Sequence, residues 1–597
     1  MKKFIKFAAL FLSLTIALTA CGGNKDSKKS SEAGNNTNTV KRSSIAEHEG
    51  KVIDGGVLKI GLVTDSPFTG IFNDLFSTNA DDMELFDYMA EYPSKDGDGR
   101  WLEEDELRKV DFDKDNKKVT ITIKDTFKWS DGTPVTSRDY LFGYEIVGHP
   151  EYTGVRYDVK YQNVVGMEEY HNGEAETISG IETPDDKTIV ISFKEFLPNI
   201  LWGEGIMEVP QPYHYLGDVP VKDMISNDKI RINPLSSGAF VITNVIPGER
   251  VEYKVNEHYY KDVKIDGIEI ERVPVSNVLA SLKSGKYDLL NAIPGDIKNE
   301  ELDDLSGYSV IQRAGRSLGL IGFKLGTWDN EKGEVNTDPN AKMANVNLRK
   351  AMGYALDIDA VGEKFYQGLA FRANSVTLPR FVNLYNPDAE KYTYDPKKAE
   401  ALLDEAGYKD VDGDGLREDP NGEKLTINYA AMSGGEVAEP VATAYLQWWK
   451  AIGLDVQLLD GRLHEMNSFY ERLQTDDPEI DVYFMYWSLG TSPNPTQFYD
   501  KTAAFNFTRY TDENMDKALE DINGEASFDN EHMKKAFDDF DKAIFDAAPI
   551  IPATFNEARF VVNKRIKYYD WSIVDKDGNL NNFGEADVEL TAEEPIK

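Results

Sequence analysis

The sequence has a single cysteine, Cys21, in 597 residues. That count excludes a disulfide framework and a cysteine-based zinc cluster. Histidine is scarce as well: His48, His149, His171, His214, His258, His464 and His532 make up the total of seven. No two of them stand three or four residues apart and there is no HExxH, so no helical zinc site is offered. Positive charge is in deficit, 66 Lys and Arg against 104 Asp and Glu, for a formal net charge of −38. A nucleic-acid binder needs a basic footprint, and a protein lying on anionic lipid needs a basic face; neither fits. The GxSxG elbow, the GxxxxGK[ST] loop and the GxGxxG fingerprint are absent too. With so many acids, chance pairs of carboxylates say nothing about hydrolysis. The sequence recommends neither an enzyme, a cofactor nor a resident metal. What it does have is 41% hydrophobic and 11% aromatic residues, enough for large cores. Its length suits about three to four domain-sized units.

Lys2, Lys3 and Lys6 precede an apolar stretch at 7–19. Thirteen residues are too few to span a bilayer and suit a signal-peptide core. The stretch ends in Leu18-Thr19-Ala20-Cys21-Gly22, which resembles a bacterial lipobox. The resemblance implies a signal peptide at 1–20 and a lipidated Cys21 as the mature N-terminus; the alternative is a secretory signal that happens to hold a free cysteine. Loss of the three lysines would take the charge from −38 to −41. Residues 21–54, rich in Ser, Asn, Lys and Gly, are expected to be a flexible tether. No later stretch approaches 18 consecutive apolar residues. The remainder is therefore expected outside the cytoplasm, anchored to the membrane and not spanning it.

From Gly55 onward strand and helix signals alternate without a fixed repeat. Lys118-Val119-Thr120-Ile121-Thr122-Ile123-Lys124 alternates at period two, and Thr188-Ile189-Val190-Ile191-Ser192-Phe193 follows an Asp185-Asp186-Lys187 turn. Leu348, Ala351, Met352 and Ala355 have helical spacing. Asp395-Pro396 reads as a helix start, Ala399, Leu402, Leu403 and Ala406 as its buried stripe, and Gly407 as its stop. The fold class is α/β with mixed α+β character. Asp410, Asp412 and Asp414 alternate before Gly415, like the start of an EF-hand loop. Position twelve is Asn421 and not the required glutamate, and only Glu418, at position nine, stands in reserve. The loop reads as a calcium site or as an Asx and Gly turn between a helix and Leu425-Thr426-Ile427.

Several segments together resemble the family 5 extracellular solute-binding proteins, the peptide receptors of ABC importers. Gly56-Val57-Leu58-Lys59-Ile60 leading into Ser66-Pro67-Phe68-Thr69-Gly70-Ile71-Phe72-Asn73 is similar to the opening strand and loop of Gram-positive oligopeptide-binding lipoproteins. Phe127-Lys128-Trp129-Ser130-Asp131-Gly132-Thr133-Pro134 resembles the family's most recognisable stretch. Ser237-Gly238-Ala239-Phe240 with Asn256 and Tyr259-Tyr260, Val346-Asn347-Leu348-Arg349-Lys350-Ala351, the segment 399–418 and Ala548-Pro549-Ile550-Ile551-Pro552 follow in the family's order. Trp129, Asn256 and Tyr260 read more simply as packing than as ligand contacts.

The resemblance implies a two-lobe periplasmic-binding-protein type II clamp with an extra domain in the first lobe. The first lobe is expected at 55–317 with its insert near 80–195, the second at 318–553, and a return to the first at 554–597. Crossings near 318–323 and 552–555 would form the hinge. The implied function is capture of oligopeptides by a monomeric, lipid-anchored receptor that delivers them to an ABC permease, with the peptide backbone paired strand-fashion. Another solute or a signalling peptide is the near alternative, and a secreted carboxylate hydrolase the distant one. Ligand contacts are expected from Tyr486, Trp487, Ser488, Gly490 and Asn494, where the strand-like run 480–488 empties into a loop, and from Phe68, Phe72 and Asn73 in the other lobe. In peptide-binding relatives the first of these loops carries an aspartate for the ligand's α-amino group. Here no carboxylate lies between Trp487 and Pro495, so charge anchoring at this loop is expected to be weak or absent.

Overall fold

The computed structural model describes residues 41–597, apart from Asp296 and Thr491. The expected signal peptide and Cys21 lie outside the described residues. The folded part begins before the expected end of the tether at 54. Ile45–Glu47 is a strand paired antiparallel with Tyr568–Asp570, and Ala46 is buried in the first-lobe core. His48 bonds the Ile566 carbonyl and Ser309 Oγ. The polar composition around it hid one buried side chain whose partner strand lies more than five hundred residues away.

The spine of the molecule is one eleven-stranded mixed sheet. In the first lobe Val57–Val63 pairs parallel with Gly267–Val273 and with Leu289–Leu290. Arg250–Val255 and Phe240–Ile246 extend that side antiparallel. Two long strands, Tyr308–Phe323 and Ile550–Asn563, run antiparallel to each other from Tyr308↔Asn563 to Gly322↔Ile550. Their pairing is irregular between Ala314 and Leu318 and again between Gly319 and Leu320. Beyond these irregularities Val482–Ser488 joins Tyr308–Phe323, followed by Thr426–Ala431 and Asp455–Leu458.

Period-two alternation sorts the second lobe into two cores. Ile321 and Phe323 face the helices Val346–Tyr354, Pro396–Glu405 and Ala438–Ala451 through Leu348, Leu403 and Trp449. Leu318 and Leu320 face the helix Asn530–Ala547 through Phe537 and Phe540. The two helices legible in the sequence are present, the second capped by Asp395, which accepts from the Lys398 N–H, and ended at Gly407 with φ 88°. The first lobe also carries a separate antiparallel sheet in the order Arg108–Asp113, Lys118–Ile123, Thr188–Ser192, Ile181–Asp185. Its core contains Trp129, 2% exposed.

This extra sheet's neighbourhood supplies part of the contact with the second lobe, while Gln367 bonds the Asn299 N–H and the carbonyls of Gly295 and Ile297 elsewhere on the first lobe. The Asn383 N–H and Nδ2 donate to the Asp98 carboxylate at 3.3 and 2.7 Å. Ser492 Oγ donates to Glu204 Oε1 at 3.2 Å, and Lys114 pairs with Glu525 at 3.0 Å. Trp202 inserts into the second-lobe core around Leu318 and Phe537. The two lobes are thus in contact along a seam.

Candidate functional site

Thr426–Ala431 and Val482–Ser488 run parallel, the first ending at Ala431 beside Phe484 and the second continuing to Ser488, and ligands of open α/β sheets sit beyond such carboxyl ends. A cavity of about 210 Å³ opens there, lined by Tyr366, Tyr429, Met432, Ser433, Phe484 and Tyr486 among others. Alternation puts Phe484 and Tyr486 on the same strand face, their rings perpendicular with centroids 5.1 Å apart. Gly319, on the neighbouring crossing strand, makes room for them. A Cβ at 319 would come within 2.9 Å of the Tyr486 ring and would collide with Thr554 Oγ1. Burial pushes the Tyr486 hydroxyl well above the usual phenol range, so it stays a neutral donor.

The first lobe holds a group of carboxyls raised by burial. Glu84 and Asp87 are one turn apart on the helix Ala80–Asp87, whose N-terminus is capped by Asn79. Glu84 Oε2 accepts from Asn291 Nδ2 at 2.9 Å, yet burial pushes its carboxyl up to about 7, helped by the charges of Asp81, Asp87 and Glu585. Asp87 accepts from the Tyr92 hydroxyl at 2.7 Å and is pushed up to about 6, again mainly by burial. Asp74, which accepts from Gln211 Nε2 at 2.9 Å, is likewise raised to about 6.

Of the residues anticipated from sequence, Tyr486 lines the cavity, and Ser488 and Gly490 are exposed just past it, with nothing within 4 Å of a Cβ at 490. Trp487 points to the opposite face, against Phe498 at 4.3 Å and Phe507 at 5.4 Å. Asn494 is buried and engaged: Nδ2 donates to Asn523 Oδ1 at 2.8 Å while Oδ1 accepts the Thr496 N–H at 3.0 Å. Phe68 and Phe72 sit in the first-lobe core, 5% and 1% exposed. Asn73 donates to Gln211 Oε1 and caps the Leu75 N–H. Sequence reasoning missed Tyr366 and Tyr429, which line the same cavity and are distant from Tyr486 along the chain. The one available signal was the pair Gly319 and Gly322 in an apolar strand, since glycine there marks a close approach. The loop after Trp487, which has no acid of its own, receives one from the first lobe in Glu204.

At the acidic loop, carboxylate oxygens of Asp410, Asp412 and Glu418 lie within 4.8 Å of one another. Asp410 accepts the N–H groups of Gly413 and Gly415, Asp412 that of Asp414, and Glu418 that of Val411. The aspartate bonds are of the Asx-turn type, and they fit the turn reading of the alternating acids.

The match to known proteins is extensive. Residues 102–508 fit the model of the bacterial extracellular solute-binding proteins, family 5, middle part. The chain belongs to this family. Its relatives include the oligopeptide-binding protein OppA of Lactococcus lactis subsp. cremoris, 35% identical over 467 residues, covering 76% of this chain and 77% of that one. AppA of Bacillus subtilis, also described as oligopeptide-binding, is 25% identical over 534 residues, 87% of this chain and 88% of that one. Among solved structures, lactococcal OppA in its closed conformation with an endogenous peptide superposes with a TM-score of 0.78 at 32% identity, covering 88% of this chain and 98% of that one. The fold is therefore the two-lobe clamp of family 5. Among the described residues no helix is long and apolar enough to cross a membrane.

Proposed function

We propose that this chain is a lipid-anchored receptor outside the cytoplasm that captures oligopeptides between its lobes and delivers them to an ABC-type permease. The observation that carries the reading is the aromatic cavity at the carboxyl end of Thr426–Ala431, where Phe484 and Tyr486 of the neighbouring strand line it. A cavity of this size takes one large apolar side chain and not a whole ligand, which suits a chain molecule extending past it. Ser488 and Gly490 leave backbone groups open beside it for strand-like pairing, which reads peptide direction while tolerating many sequences. The likeness to OppA over three quarters of both chains supports the same cargo.

The lobe limits at 318 and 553 put the hinge on the two crossing strands, and Cys21 supplies the anchor. Substituting Cys21→Ser is expected to abolish incorporation of labelled palmitate and release the protein into the medium. The peptide assignment is tested by mass spectrometry of co-purifying material and by thermal shift with peptides. A ligand at one hundred times its Kd adds about 2.7 kcal/mol of stability. Turnover of the peptide, or stabilisation only by non-peptide solutes, would overturn the assignment.

A further inference from the structure

Most large buried cations of this protein are visibly neutralised. Arg565 forms a two-pronged ion pair with Asp288, Arg509 pairs with Asp476, and Arg108 with Asp105. Arg349 spends its guanidinium on the carbonyls of Met343, Ala344, Ala547 and Ala548. Arg380 does none of this. It is 7% exposed, has no ion pair among the described residues, and its Nη1 is buried without a hydrogen-bond partner there. Its guanidinium carbon lies 5.5 Å from the centroid of the Phe381 ring.

Arg380 also sits at a telling place. It lies three residues before Asn383, which bonds Asp98 across the seam. Burial, with smaller contributions from the charges of Arg316 and Arg313, pushes its guanidinium down to about 9. Arg316 stands in the stretch where the crossing strands lapse from regular pairing, and its carbonyl accepts the Leu489 N–H at 2.9 Å, beside the loop after Trp487. Its side chain is exposed and makes no ion pair among the described residues, although Asp87 feels its charge. Arg313 is held by Trp571, with its guanidinium carbon 4.1 Å from the ring centroid and Nη1 donating to the carbonyl. Gathering cations where the lobes meet is costly without a counter-charge, and a planar guanidinium is the best partner for a carboxylate.

We infer that Arg380 and Arg316, backed by Arg313, form a subsite for a carboxylate of the bound ligand. The inference rests on the peptide reading above and deepens it. The carboxylate is either the peptide's C-terminus or an Asp or Glu side chain, and both present the same two oxygens to the same fork.

The test uses the full chain, stripped of bound material, and calorimetric titration with matched synthetic peptides. Each peptide is made as the C-terminal acid and amide, and with Glu or Gln at an internal position. One pair is expected to differ by about tenfold or more in Kd in favour of the acid, and the pair that does so identifies the source of the carboxylate. Arg380→Gln and Arg316→Gln are each expected to shrink that difference, while Arg380→Lys retains part of it. Arg316 is exposed, so its substitution keeps the test open if Arg380→Gln fails to fold. Equal binding of all four peptides, or a preference that survives both substitutions, would overturn the subsite and leave the peptide reading standing. No binding of any peptide would overturn both.

Discussion

Glu84 offers a direct measure of how hostile its buried, acidic surroundings are to its own charge. In the unfolded chain its carboxyl titrates near 4.5, and in the fold it is raised to about 7. A raised folded pKa means the native state holds the proton more tightly. Stability therefore falls as pH rises from the unfolded value to the folded one and is flat above it. Two and a half units correspond to about 3.4 kcal/mol at 1.36 per unit. Water reaches part of Glu84, so a discount to about 1–2 kcal/mol is appropriate. Glu84→Gln keeps an oxygen for Asn291 Nδ2 and removes the titration. Scanning calorimetry of ligand-free wild type and variant is expected to find closely similar melting temperatures near pH 4.5. The variant should draw ahead steadily up to pH 7 and hold a constant lead above that. Parallel pH profiles would refute the argument, because they would mean Glu84 is ionised in the fold across the whole range.

Three further outcomes follow from contacts described above. Asp98→Ala removes both bonds to Asn383 across the seam and is expected to weaken peptide binding by about tenfold, mainly through faster dissociation in stopped-flow traces. Gly319→Val drives a side chain into Thr554 and the Tyr486 ring, at about 1–3 kcal/mol of overpacking, and should lower affinity for peptides with large apolar residues more than for small ones. Asp288→Ala strands Arg565, both of them fully buried, and is expected to cost about 3–5 kcal/mol in chemical denaturation; a loss below 1 would mean that water enters the site.

The sequence was most informative where a signal is local. Strand alternation at 118–124, the Asp395-Pro396 start and the Gly407 stop all depend on neighbours within a few residues, and all are present. Family motifs carried the two-lobe architecture. The candidate site was less legible because it is assembled by topology. Tyr486 and Tyr366 converge on one cavity through strand register and a glycine on a third strand. Trp487 looked as good as Tyr486 in the sequence, but one step along a strand turns a side chain to the other face. Asn494 and Asn73 illustrate another limit. A polar residue in a loop is a candidate for ligand contact until its local hydrogen bonds are known, and here both are engaged in turns and side-chain networks. Residue type alone also could not separate Arg380 from Arg565, since only the presence or absence of an acid opposite distinguishes them.

The pairing of Tyr308–Phe323 with Ile550–Asn563 has a consequence for how such proteins can be rebuilt. The chain leaves the first lobe on one of these strands and returns on the adjacent one, so everything between them hangs from a single two-stranded ribbon. Topologically the second lobe is a cassette with its entry and exit side by side. An exchange cut within the ribbon, with its register kept, would carry the aromatic cavity and Arg380 together onto another family member's first lobe. Ligand choice could then be recombined across the family without redesigning the part of the chain to which Ile45–Glu47 is bound.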